Sequence, residues 1–373
     1  MSSTAFIPCE YNPFHRGHAA QMEILRSELG FERIVSLMSG PFVQRGGPAA
    51  LPVEERAKAA VDAGCDLVLM MPFAYCAQTA ETFARGTVFT AAACGARYLC
   101  FGTEDPDRRE ELLTAARLLA DENILMEISS LAKGNVPYPA ARIRVLEEKI
   151  GKNMGFLEKP NNILALEYMR SIAVCAPGIE AVPLRRVAGL PPASEIRSRM
   201  EKDDPAGIRT LREYAPVLKY LITMGEPGPI ESICGYYKGL LPRMKDNLPL
   251  LGEDTDEFIS RVNTATVPSS RIRRFLVNLM MGYTEEDRRR FFSSAPGYIR
   301  VLAIGKKGGE ILKEISLRGD IYTVTKPSAA VKEGILGETD RMLFDMDNRA
   351  VDLYNLTSGR TGEAMRYTPA VKK

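Results

Sequence analysis

Thr4-Ala5-Phe6-Ile7-Pro8-Cys9 leads straight into Glu10-Tyr11-Asn12-Pro13-Phe14-His15-Arg16-Gly17-His18, and a helix-like run from Ala19 to Leu29 follows. A short apolar strand, a glycine-containing turn and a helix start aim backbone N–H groups and a positive dipole end at an anion. Residues three apart on a first helical turn face the same way. The two imidazoles, the only histidines in 373 residues, would therefore converge on whatever that helix end binds. The pattern points to a polyphosphate, with imidazole hydrogen bonds stabilising charge that develops as pyrophosphate leaves. Gly17 has a reason in the same chemistry, since a side chain there would keep the backbone away from a phosphate. For these residues alone, a turn with two solvated histidines is the competing reading.

Working outward, apolar runs recur at 4–9, 33–38, 66–71 and 97–102, separated by amphipathic spacings over 16–29, 53–63 and 79–94. Strand alternating with helix predicts right-handed βαβ units, a parallel sheet and a Rossmann-like α/β fold. Ligands bind such sheets beyond the carboxyl ends of strands, where strand order reverses, and the histidine pair follows the first strand. Helices dominate 107–200, apart from an apolar run near 179–187. Beyond Asp203 the chain reads as helices punctuated by proline and glycine, with a strand-like tail from about 321. The expectation is a nucleotide-binding domain over 1–200 and a mainly helical domain over 201–373 that binds RNA.

The hydrophobic content of 45% and charged content of 26% fit a soluble globular chain. No run of eighteen apolar residues predicts a membrane span, and the first residues do not resemble a secretory signal. Seven cysteines with no CxxC spacing argue against a disulfide framework or a zinc site, which points to a reducing cytoplasm. No carboxylate or cysteine cluster has metal-ligand spacing, so no protein-held metal is expected. A formal charge of +2 gives little overall field, so a nucleic-acid partner needs a local basic surface.

That surface is best sought between Ser269 and Arg300, which carries Arg271, Arg273, Arg274, Arg288, Arg289, Arg290 and Arg300 with Phe291, Phe292 and Tyr298 interleaved. Arginines beside aromatics suit phosphate contact and base stacking. Glu285, Glu286 and Asp287 interrupt the run and leave a salt-bridged helical face as the alternative. Gln44 and Arg45 follow the second strand at its ligand-facing end, where Arg45 suits a carboxylate or an RNA phosphate. Ser194 reads as a helix N-cap, with Arg197 one turn further in and able to reach a β- or γ-phosphate. Glu81 and Glu104 read as organisers of local structure.

The segment 9–18 resembles the HIGH-type nucleotidyltransferases and, within them, the tRNA(Met) cytidine acetate ligases. Four further segments carry the same resemblance: Met38-Ser39-Gly40-Pro41-Phe42-Val43-Gln44-Arg45-Gly46, Ala80-Glu81-Thr82-Phe83-Ala84-Arg85-Gly86, Phe101-Gly102-Thr103-Glu104 and Lys159-Pro160-Asn161-Asn162-Ile163-Leu164. They cover roughly the first 200 residues. The resemblance implies that acetate attacks the α-phosphate of ATP, and that the wobble cytidine amine of elongator tRNA(Met) then takes the acetyl group. ATP would bring its own Mg²⁺. It implies catalytic roles for His15, His18 and Arg197. The implied ATP contacts are Ile7, Glu10, Asn12, Pro13, Phe14, His15, Gly17, His18, Gly102, one of Asn161 or Asn162, Arg186, Ser194 and Arg197. Gln44 and Arg45 would meet the substrate. Three features depart from the family pattern. Gly47 replaces a usual glutamate, the stretch Arg186 to Pro192 lacks a usual tyrosine–histidine–aspartate sequence, and the charge is near neutral. A small-molecule adenylyltransferase and an RNA-binding protein with a silent nucleotide site are the other readings.

Overall fold

The computed structural model describes residues 3–133, 136–187, 189–204, 207–264, 267–359 and 362–372. Its strands are β1 (Thr4–Cys9), β2 (Arg33–Ser39), β3 (Phe42–Val43), β4 (Gly47–Pro48), β5 (Leu67–Met71), β6 (Tyr98–Thr103), β7 (Glu180–Arg185), β8 (Tyr298–Ile304), β9 (Tyr322–Val324) and β10 (Ala370–Val371). One sheet runs in the order β10-β8-β5-β2-β1-β6-β7, with β9 also on β8, while β3 and β4 form a separate hairpin. All pairs in the large sheet are parallel except β5 with β8.

Strand order reverses at β1, which lies between β2 and β6. β1 pairs with β2 as far as Cys9 and Met38, but with β6 only at Ala5–Phe6 and Tyr98–Leu99. The strands then part, opening a crevice beyond β1 and β6 where this fold class binds ligands. Successive side chains feed two cores, as expected for a sheet covered on both faces. Phe6, Val35, Leu37, Leu69 and Leu99 enter one, and Ala5, Ile7, Ile34, Met38 and Val68 enter the other.

The boundary expected near residue 200 does not separate two cores. Residues 207–292 are mostly helical, but β8, β9 and β10 return to the large sheet. Tyr298-Ile299-Arg300-Val301-Leu302-Ala303-Ile304 is a buried strand whose arginine disguises it. Arg300, 3% exposed, donates to the Ala364 carbonyl at 2.8 Å and lies over the Phe344 ring. Buried Asp347 accepts from the Tyr298 hydroxyl at 2.6 Å and the Phe73 amide at 2.7 Å. Burial pushes the Asp347 carboxyl up to about 6, against the pull of Arg300. The same late helix, Glu338–Leu356, sends the Tyr354 hydroxyl to the Ala49 carbonyl at 2.8 Å.

Arg56, 1% exposed, holds the carboxyl edge together. From the helix Val53–Asp62 it donates to the carbonyls of Glu10 at 2.6 Å, Gly40 at 2.6 Å, Ser39 at 3.1 Å and Leu51 at 3.1 Å. Replacing it with methionine keeps much of the volume but strands four carbonyls. Arg56→Met is expected to lower unfolding free energy by about 3 kcal/mol or more in urea titrations. Lys58→Ala, which removes an exposed pair with Asp62, should cost less than about 1 kcal/mol. Equal effects would refute the bracing role.

Candidate functional site

The crevice is bordered by the start of the helix Arg16–Ser27, and His15 is its N-cap. His15 Nδ1 accepts the Gly17 amide at 3.0 Å, and His18 Nδ1 accepts the His15 amide at 3.3 Å. An imidazole nitrogen that accepts an N–H carries no proton, so these bonds assign the ring proton to Nε2 on both residues. The rings stack with centroids 3.8 Å apart. Tyr11 and Phe14 pack against His18 at 4.9 and 5.5 Å. Tyr11 adopts φ +46°, a left-handed conformation unusual for a tyrosine, and its hydroxyl is tied to Ser36 Oγ at 2.7 Å.

Burial, followed by the neighbouring His15 and Arg186, pushes His18 down to about 3. His15 is lowered in the same direction by burial and by Arg186. The site therefore presents two neutral N–H donors side by side. The Gly17 and His18 amides are already bonded to His15, so an anion meets the imidazoles in place of those amides. Gly17 is required for a reason different from the one expected. A Cβ there would lie 2.8 Å from His15 Cε1, blocking the ring from its capping position.

Around the pair, Asn12 Oδ1 accepts the Ala50 amide at 2.7 Å, and the Asn12 carbonyl accepts Arg197 Nη1 at 2.7 Å. Glu10 Oε1 accepts the Gln44 amide at 2.7 Å, and Gln44 Nε2 donates to the Gln78 carbonyl at 2.9 Å. Pro13 is buried and Phe14 half-buried, while Arg186 is exposed beside Gly102. Ile7 is buried in the sheet and can offer a ligand only its backbone.

Three expectations need correction. Pro192, not Ser194, occupies the N-cap of the helix Ala193–Asp203, so exposed Ser194 caps nothing. Asn162 is fully buried and spent on Thr103, Glu104, Asp105 and Phe156, which makes it a brace. Asn161, bonded to Glu104 at 2.8 Å, is the half-exposed member of the pair. Ala188, within the stretch Arg186 to Pro192, lies outside the described residues.

The third correction concerns the arginine-rich segment. Phe291, Phe292, Tyr298 and Arg300 are buried and offer no stacking surface. Arg288 pairs with Glu285 at 2.7 Å, Arg290 approaches Glu286 at 3.8 Å, and Arg289 is exposed. Arg273 pairs with Asp256, and Arg271 donates to the Gly235 and Tyr236 carbonyls. Among the described residues Arg274 makes no side-chain hydrogen bond or ion pair. Burial and Arg271 push it down to about 10. Its backbone supports the loop after β3. Gly46, at φ +81°, sits so close that a Cβ would lie 2.2 Å from the Arg274 amide nitrogen. Arg45 stands exposed on that loop. Sequence reading missed Arg56, Gln78 and Asn278, which carry no motif. Gln78 Nε2 donates to Asn278 Oδ1 at 3.4 Å, linking the two halves.

With two histidines in the chain, proton NMR reads this site directly. The His18 ring signals should stay flat from pH 8 to pH 5, and the His15 midpoint should fall below 6.5. A depressed folded-state value means this stability is present above the unfolded value of about 6.5 and is lost as pH falls below it. A His18 midpoint near 6.5 would overturn the neutral, capped pair.

Comparison with known proteins shows the family. A family model described as HIGH Nucleotidyl Transferase covers residues 1–198 and 188–367. The tRNA(Met) cytidine acetate ligase of Geobacillus sp. (strain WCH70) is 26% identical over 373 residues, spanning 90% of this chain and 92% of the relative. The protein of that name from Thermoanaerobacter sp. (strain X514) is 28% identical over 386 residues, spanning 93% of each. Thermotoga maritima TmcAL, in a crystal structure with alpha-thio ATP bound, superposes with a TM-score of 0.90 at 25% identity over 99% of both chains. With its matched segments spanning nearly the whole length, the chain belongs to the HIGH nucleotidyl transferase family.

Proposed function

We propose that the protein is an ATP-dependent acetate ligase that acetylates the wobble cytidine of elongator tRNA(Met) to N(4)-acetylcytidine. The observation that carries this reading is the pair of Nε2–H donors at the crevice where strand order reverses. Its support comes from full-length similarity to proteins named for that activity and to a structure holding an ATP analogue.

In the first step the acetate carboxylate attacks the α-phosphate of ATP, forming acetyl-adenylate and releasing pyrophosphate. His15 and His18 hydrogen-bond the phosphate oxygens as charge builds, with Arg186 and Arg197 as the nearby cations. Positioning and electrostatics supply most of the rate in such displacements. Mg²⁺ would enter with the nucleotide. In the second step the cytidine amine attacks the acetyl carbonyl and AMP departs. Arg45, exposed on the loop after β3 and near Glu10, would take an RNA phosphate. No described helix is long and apolar enough to cross a membrane.

Incubation with labelled acetate and ATP, with and without total tRNA, tests the reading. Acetyl-AMP should form without tRNA, and acid-insoluble label should appear with it. ATP binding without acetyl-AMP would refute the activation step, and acetyl-AMP without labelled tRNA would move the acceptor elsewhere. Arg45→Ala should weaken tRNA binding and reduce the slope of log affinity against log salt by about one. Arg290→Ala should change it less because Glu286 already engages that guanidinium. The reverse ranking would return the RNA surface to the 288–290 helix.

A further inference from the structure

We infer that Glu10 is the general base of acetyl transfer, accepting a proton from the exocyclic amine of the acceptor cytidine. The inference rests on the reading of function above and adds a catalytic residue to it. Cytosine N4 is a poor nucleophile because its lone pair is delocalised into the ring, so its attack needs a proton acceptor as the new bond forms. The C–N bond forms, one N–H proton passes to a Glu10 carboxylate oxygen, and the tetrahedral carbon collapses. Collapse breaks the acyl C–O bond and releases AMP as a phosphate anion. The protonated carboxyl then returns its proton to water.

Three other carboxylates stand at the carboxyl edge and its supports. Asp105 is held by Lys159 at 2.8 Å and by Asn162 at 2.6 Å. Glu81 pairs with Arg170 at 3.0 Å. Glu104 gives Oε1 to Asn161, and its Oε2 is sealed from solvent without a partner. Glu10 differs from all three. Its Oε1 is anchored by the Gln44 amide, while Oε2 makes no hydrogen bond among the described residues and is not sealed from solvent. One oxygen fixes the group and the other is available.

Position adds to this. Glu10 directly follows β1 at the opening between β1 and β6, five residues before His15. Arg197 reaches the neighbouring Asn12 carbonyl, placing a cation at the same edge. The charged and titratable groups facing Glu10 are Arg45, Arg56, Arg197, Cys76 and Tyr168. Burial raises its carboxyl above the ordinary range despite the Gln44 amide, Arg197 and Arg45, which favours proton uptake. The Cys76 thiol and the Tyr168 phenol are driven upward by burial and do not compete as bases near neutral pH.

The two half-reactions separate under experiment. With ATP and acetate, hydroxylamine traps acetyl-adenylate as acetohydroxamate without needing a base. Single-turnover transfer from preformed acetyl-adenylate to tRNA reports the second step alone. Glu10→Gln is expected to slow transfer by about 10²-fold or more while hydroxamate formation falls far less. Wild-type transfer should rise with pH to an inflection above the usual carboxylate range, and that inflection should vanish in E10Q. Glu10→Asp should restore part of the rate. Equal loss of both steps in E10Q would overturn the inference in favour of a purely structural carboxylate. So would wild-type transfer rates. If the wild type makes no acetate-dependent hydroxamate, the reading of function falls first and the inference with it.

Discussion

The carboxyl edge of a parallel sheet poses a problem that Arg56 solves. Carbonyls at the ends of β1 and β2 have lost their ladder partners, and covering them with backbone would close the crevice a ligand must enter. One guanidinium, with five donors in a plane, bonds the carbonyls of Glu10, Ser39, Gly40 and Leu51 from beneath. Burying a charge is unfavourable, and burial lowers the affinity of Arg56 for its proton. Four hydrogen bonds to carbonyl dipoles offset that cost and leave the crevice open above. The backbone that carries Glu10, and through it the turn to His15, is registered by this contact.

In the proposed reaction the histidine pair works through its neutrality. In a phosphate loop built on bare amides, the helix end itself contacts the anion. Here His15 and His18 intercept backbone N–H groups at their Nδ1 atoms and re-present a donor at Nε2. A neutral donor interacts modestly with a ground-state phosphate, and its interaction strengthens as charge accumulates in the transition state. That difference between states is what accelerates a reaction. Gly17 belongs to this arrangement because its missing side chain leaves room for the His15 ring.

Much of this was legible in the sequence because it is local. The spacing of His15, Gly17 and His18 survives translation into structure almost unchanged, as does the alternation of strands and helices that fixes β1, β2, β5 and β6. What was hidden depends on distant partners. Arg56 lies in Val53-Glu54-Glu55-Arg56-Ala57, which reads as a charged helical face until β1 and β2 arrive above it. Arg300 makes a buried strand look like the end of a basic surface, because its compensation by Asp347 and Ala364 comes from much later in the chain. Phe291 looked available for stacking, but the turn of the helix Glu285–Phe291 points it inward. Asn161 and Asn162 are indistinguishable by type, and only the helix start at Pro160 determines which one is consumed by the brace.

The second half then bears on the chemistry in a way that a separate RNA-binding appendage would not. β8 completes the sheet beside β5, and the helix Ser269–Met281 supports the loop carrying Arg45 through the close approach of Gly46 to Arg274. Beneath that contact, Gln44 reaches the Gln78 carbonyl, Gln78 reaches Asn278, and Asn278 reaches the Cys234 carbonyl at 3.1 Å. The backbone amide of Gln44, the residue whose side chain starts this chain, anchors Glu10. Hydrogen bonds in such buried chains are worth more together than apart, because each fixes the orientation of the next. The loop that carries Arg45 and the Glu10 carboxylate therefore rest on one framework that spans both halves of the chain.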